Sequence, residues 1–164
     1  CTEHGLVALR PNFRGVGESA GEFDHARGET ADMLALVRQF QERYPDTAAG
    51  AWLMGGFSFG TSVVAQLYSE LAEQSLRTPD RLILTGTAVE RFRHRNVAVP
   101  EDTLLIHGEA DEVVPLSEAM DFARGHGLPM VVIPEAGHFF HGKLLVLRRL
   151  VQQSLQTLWH HDHK

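Results

Sequence analysis

The chain has 164 residues, 43% of them hydrophobic and 22% charged, with a formal net charge of −6. That is enough apolar material for one sizeable core, while the acidic balance argues against nucleic acid and anionic membrane surfaces as partners. No apolar run approaches the ~20 residues that span a bilayer, and the single cysteine, Cys1, rules out an internal disulfide framework and fits a reducing, cytoplasmic compartment.

Short apolar runs alternate with helix-period segments, the pattern of a parallel sheet covered by helices. The first run, residues 6–9, reads as a strand. Met33, Val37, Phe40 and Tyr44 follow at helical spacing behind Glu29 and Asp32, and Pro45 stops the pattern. Residues 51–54 form the next strand and lead through the stretch GGFSFG into a helix marked by Val64, Leu67 and Leu71. Further strands are expected at residues 82–84, 104–106 and 130–133, with a shorter helix around residues 118–124 that ends near Gly125 and Gly127. Leu144, Leu147, Val151, Leu155 and Leu158 form the apolar stripe of a C-terminal helix. Every strand is a continuous apolar run, as expected where both faces of a sheet are covered. With no repeat, low-complexity segment or linker, residues 1–164 read as one α/β domain with a mostly parallel, doubly wound sheet.

Within GGFSFG, Ser58 sits at the centre of G-x-S-x-G, flanked by a strand and a helix. This motif carries chemistry only in strand–turn–helix context, and here that context is present. A sharp turn at the serine needs tiny residues two before and two after, so that strand and helix can pass closely. It also leaves the next N–H, that of Phe59, at a helix N-terminus, suited to stabilising an oxyanion. The plainer alternative is a serine N-cap in a Gly-rich turn. A serine nucleophile needs a base and a group that orients the base. Glu109, Asp111 and Glu112 lie in the turn after residues 104–106, and His138 and His141 in the turn after residues 130–133. Both turns belong to the strand ends where doubly wound folds place their sites. Among the acids Asp111 is favoured, because Glu109 lies close to the strand end and Glu112 precedes an apolar pair. It could instead merely cap its turn. His138 is favoured over His141, which reads as a helix-start residue, while His107 reads as a structural histidine at a strand end.

The stretches RPNFRGVGES (10–19), GFSFG (56–60), HGEADEVVP (107–115) and GHFFHGKL (137–144), in that order, resemble the α/β-hydrolase superfamily. Within it they look closest to small lidless bacterial serine hydrolases. The resemblance implies Ser58 as nucleophile, His138 as base, Asp111 as acid, the Phe59 N–H as one oxyanion donor, and residues 13–17 as a loop that shapes the site. It implies no cofactor and no metal. In family terms the chain begins at the fourth strand, and the family's third strand lies between the fourth and fifth. The expectation is therefore the C-terminal part of a longer protein, with residues 6–9 pairing with an upstream segment, a second chain or a rearranged sheet. The second oxyanion donor would come from the loop after that third strand.

Three further stretches are weaker signals. RGVGESAG (14–21) has the wrong glycine spacing for a phosphate loop and opens no helix. RFRHR (91–95) reads as a solvated loop, with recognition of an anionic substrate as the alternative. The tail WHHDHK (159–164) reads as a solvated terminus, with adventitious metal binding as the alternative. Residues 86–102, where family lids are inserted, are too few for a helical cap, so an open site and a preference for short acyl chains are expected. The functional expectation is a serine hydrolase acting on ester-like acyl groups of a small-molecule substrate. Thioesterase or peptidase activity on the same residues, or a non-catalytic interaction module, are the alternatives; the oligomeric state is not legible.

Overall fold

The computed structural model describes residues 5–159. The elements run in the order α1 (Arg27–Arg43), α2 (Pro45–Ala48), β1 (Leu53–Phe57), α3 (Phe59–Glu73), β2 (Arg81–Thr85), α4 (Val89–Phe92), β3 (Leu104–Gly108), α5 (Leu116–His126), β4 (Met130–Ile133) and α6 (Leu144–Trp159). Among the described residues the four strands form one sheet in the order β1-β2-β3-β4, every pair parallel. Residues 160–164, most of the His-rich tail, lie outside the described residues. No described helix is long and apolar enough to cross a membrane.

Side chains alternate across the sheet, and each face has its own core. Met54, Leu82, Leu84 and Leu105 point to one face, where Leu34 and partly buried Val37 of α1, Val64, Leu67 and Leu71 of α3 and Phe122 of α5 cover them. Ile106, Ile133 and Val131 point to the other, against Val146, Leu147, Leu150 and Val151 of α6. This is the doubly wound arrangement, and it explains the unbroken apolar runs of the central strands. Element ends follow local chemistry. Pro45 ends α1 and then serves as the first residue of α2, where its missing N–H has no intrahelical partner to lose. Gly127, with φ 65°, closes α5 in the left-handed conformation.

The expected strand at residues 6–9 is not formed. The stretch joins no ladder of the sheet, and Val7 and Leu9 are 63% and 52% exposed. An apolar run becomes a strand only through hydrogen bonds to a neighbour, and among the described residues β1 pairs with β2 alone. The lid position holds only the four-residue α4 and irregular chain, so among the described residues no cap covers the sheet edge.

The junction of β1 and α3 depends on Gly56. A Cβ there would overlap the carbonyl of Gly60 and meet the Thr61 nitrogen at 2.7 Å. Gly56→Ala should therefore force main-chain atoms apart and cost about 1–3 kcal/mol, visible as a Tm several degrees lower in thermal unfolding. An unchanged Tm would show that the turn opens without strain.

Candidate active site

The chain leaves β1 at Phe57 and enters α3 at Phe59, so Ser58 alone makes the turn. Its backbone stands at φ 51°, ψ −122°, outside the regions that L residues ordinarily occupy. Although Ser58 occupies the N-cap position of α3, its side chain makes no capping hydrogen bond. The hydroxyl instead lies 2.9 Å from His138 Nε2. On the far side of that ring, His138 Nδ1 is 2.8 Å from Asp111 Oδ2. The acceptor at Nδ1 is a carboxylate, so the ring proton belongs on Nδ1 and the lone pair on Nε2 faces the serine. The three residues singled out in the sequence thus form one hydrogen-bonded line. His141 is exposed and stacks near Phe139, with ring centres 5.9 Å apart.

Asp111 is buried, yet its carboxyl is held below the usual carboxylate range. Burial pushes it up, and this is outweighed by the Val114 N–H, the hydrogen bond to His138 and the Val113 N–H. The two amides reach Oδ1 at 2.7 and 2.9 Å, leaving Oδ2 for the histidine. Glu109 and Glu112, rival acids on paper, do different work. Glu109 Oε2 accepts the Glu135 N–H at 2.9 Å, and Glu112 Oε2 accepts the His138 N–H at 3.3 Å. They fasten the acid-bearing loop to the histidine-bearing loop. The strand-end His107 also approaches Asp111, its Nε2 3.4 Å from Oδ2. The two glutamate braces have no signature in the sequence, because each joins loops that meet only in the folded sheet, whereas the His107–Asp111 approach is local, four residues across the end of β3.

Aromatic rings wall the site. The His138 ring lies against Phe57 and Phe139, with centroids 5.0 Å from each. Gly86, at φ 60°, makes room for them: a Cβ there would stand 3.3 Å from Phe57 and 3.4 Å from His138 Cε1. Beyond Ser58, the Phe59 ring packs on Phe13, Phe23 and Phe92 at 5.2, 5.2 and 5.0 Å. Phe13 comes from the RPNFRGVGES loop, which Arg14 anchors to α1 by two bonds to Asp32 of 2.7 and 2.8 Å. On the α6 side, Phe57, Thr85, Phe139, Phe140, Leu144 and Leu147 line an open apolar hollow of about 260 Å³. As the first residue of α3, Phe59 presents an N–H that has no acceptor within the helix.

The basic cluster RFRHR does not form a free cationic surface. Arg91 pairs with Glu118 at 2.7 Å, Arg93 with Glu90 at 2.8 Å, and Arg95 with Glu70 at 3.3 Å and with Glu73. RGVGESAG stays in turns, and the next helix starts only at Arg27. Among the described residues no group of three or more His, Cys, Asp or Glu side chains is placed to hold a metal ion.

Comparison with known proteins agrees with this architecture. No protein-family model matches the chain. A Xanthomonas campestris protein described as an α/β serine hydrolase without a lid is 32% identical, with a TM-score of 0.76 over 90% of this chain and 64% of its own. A Coxiella burnetii protein described as an α/β serine hydrolase homologue is 33% identical, with a TM-score of 0.69 over 88% of this chain and 66% of its own. An uncharacterized Rickettsia prowazekii protein is 26% identical over 98% of this chain and 71% of its own length. The chain therefore spans just under two thirds of the two solved hydrolases.

Asp111 links the site to stability. A carboxyl whose pKa is lowered by folding stabilises the protein above its unfolded pKa, and that contribution is lost as pH falls through the folded value. The Tm difference between the parent and Asp111→Asn should accordingly be full at neutral pH and shrink as pH drops below the ordinary value of 3.8. A difference that persists unchanged in acid would mean that Asp111 is not held as an anion.

Proposed function

We propose that this chain, a member of the α/β-hydrolase superfamily, is a serine hydrolase that cleaves ester-like acyl bonds of small substrates through an acyl-enzyme intermediate. The observation that carries the proposal is the continuous line Ser58 Oγ–His138 Nε2, 2.9 Å, and His138 Nδ1–Asp111 Oδ2, 2.8 Å. A serine hydroxyl is a poor nucleophile at neutral pH unless a base takes its proton as it attacks. His138 Nε2 is placed to do so, then to return the proton to the leaving alcohol. Asp111 keeps the Nδ1–H tautomer and stabilises the imidazolium formed in between, without itself taking the proton. As Oγ bonds to the carbonyl carbon, negative charge develops on the carbonyl oxygen, and the Phe59 N–H at the start of α3 is one donor positioned to meet it. Water then attacks the acyl carbon with His138 Nε2 again as base; the bond to Ser58 Oγ breaks, the acid leaves, and His138 returns the proton to Oγ. The substrate enters from solvent over an edge without a cap, and the apolar hollow lined by Phe57 and Phe139 suits a short acyl group. No cofactor enters the reaction.

A fluorophosphonate probe should label Ser58, and Ser58→Ala should abolish labelling and lower ester turnover by roughly 10⁴-fold or more with folding intact. More than a few per cent residual activity would assign the attack to another residue. His138→Ala should lower turnover about as far as Ser58→Ala does, whereas His141→Ala should leave it near the parent; the opposite pattern would move the base to His141.

A further inference from the structure

His107 ends the apolar run of β3 and has no accessible surface, 0%. A leucine would complete the strand equally well by hydrophobicity, so the polar ring needs a reason. Both its nitrogens are engaged. The Thr87 N–H donates to Nδ1 at 3.2 Å. An amide N–H can only donate, so Nδ1 is bare and the ring proton sits on Nε2. Nε2 lies 2.9 Å from the Val114 carbonyl, to which it donates, and 3.4 Å from Asp111 Oδ2.

The two segments that His107 joins are those that frame the histidine–acid pair. Thr87 follows Gly86, which packs on the His138 ring. Val114 and its neighbour Val113 hold Asp111 Oδ1 through their amides. The charged and titratable groups near His107 are Asp111, His138 and the Arg91–Glu118 pair of α4 and α5.

We propose that His107 is a positioning residue for Asp111: neutral and protonated on Nε2, it donates to the Val114 carbonyl and so fastens the turn whose amides cradle one carboxylate oxygen, with Nε2 standing 3.4 Å from the other, fixing the direction in which Asp111 meets His138. The role rests on the serine-hydrolase reading of Ser58, His138 and Asp111. A ring that only filled the core would have no need to join the Thr87 N–H to the Val114 carbonyl.

Histidine-labelled NMR and kinetics test this together. The parent protein should show His107 as the Nε2–H tautomer, and a downfield proton for His138 Nδ1–H bonded to Asp111. His107→Gln keeps a side-chain N–H near the Nε2 position, whereas His107→Phe removes it. The His138 Nδ1–H resonance should persist in His107→Gln and be lost in His107→Phe. The kcat for ester turnover should stay within about tenfold for Gln and fall by about 10²-fold for Phe, with KM little changed in both. Equal effects of the two variants on resonance and kcat, or none, would overturn the proposal. So would an Nδ1-protonated His107 in the parent, which decides the matter even if the Phe variant does not fold. The expected resonance pattern in a protein that neither turns over esters nor takes the probe would uphold the positioning of Asp111 and refute the hydrolase reading instead.

Discussion

Parallel pairing sends every strand out of the sheet at the same edge, and in this chain all four exits contribute to the site. β1 delivers Ser58, β3 leads to Asp111, β4 leads to His138, and β2 ends in the Gly86–Thr87 turn on which the histidine ring and His107 rest. The exits do not loosen where the strands end. Ser58 N–H donates to Thr85 O at 2.9 Å, Gly86 N–H to Ile106 O at 3.0 Å, and Glu109 N–H to Ile133 O at 3.0 Å. The ladder thus runs one residue past each of these strands, so Ser58 hangs from hydrogen-bonded backbone, while the loops of Asp111 and His138 are braced to each other through Glu109 and Glu112. That placement suits the precise geometry that the proposed proton-transfer line would require.

Ser58 is a strained point of this frame, as are Glu135 and Phe140 in the loop of His138, with φ 58° and 53°. A non-glycine residue at such a positive φ costs on the order of 1–3 kcal/mol. Its surroundings over-determine it. Besides the bond to Thr85, the Ser58 carbonyl accepts the Thr61 N–H at 2.9 Å and the Thr61 hydroxyl at 2.6 Å, while the Thr61 oxygen accepts the Ala88 N–H at 2.9 Å. Each such bond is worth about 0.5–1.5 kcal/mol net, so together they offset the strain and tie the turn to the segment after β2. The hydroxyl is left free of capping duty and turns to His138.

The element order was legible because burial on both faces leaves a mark that composition carries: unbroken apolar runs for strands, a 3.6-residue stripe for helices. What failed did so where a strand is defined by backbone pairing rather than by side chains. Gly55 and Gly56 read as the start of a turn, yet β1 continues through them because their backbone still faces β2 in register with Ile83 and Leu84. Residues 6–9 have the composition of a strand and, among the described residues, no neighbour to make them one. Ser58, Asp111 and His138 stood out because each sits just past a strand in a turn with few competitors. The pairing of RFRHR with Glu118, Glu70 and Glu73 was not readable, since it depends on which helix faces lie against residues 91–95; the Arg93–Glu90 pair is local.

The choice among three neighbouring carboxylates shows what the fold adds to a motif. Glu109, Asp111 and Glu112 share one turn, and charge alone does not separate them. Asp111 has the shortest side chain, and one of its oxygens is captured by the amides two and three residues ahead, the local geometry that aspartate adopts readily in turns. That capture directs the other oxygen inward to His138 and supplies the donors that keep a buried carboxyl ionised. Glu109 and Glu112 are exposed, reach further, and bond main-chain N–H groups of the opposite loop. A carboxylate in water suits such a brace, because it needs no compensation for burial. One that is buried, as the acid of the proposed reaction would be, does need it. The difference of one methylene, together with burial, separates the acid from its two braces.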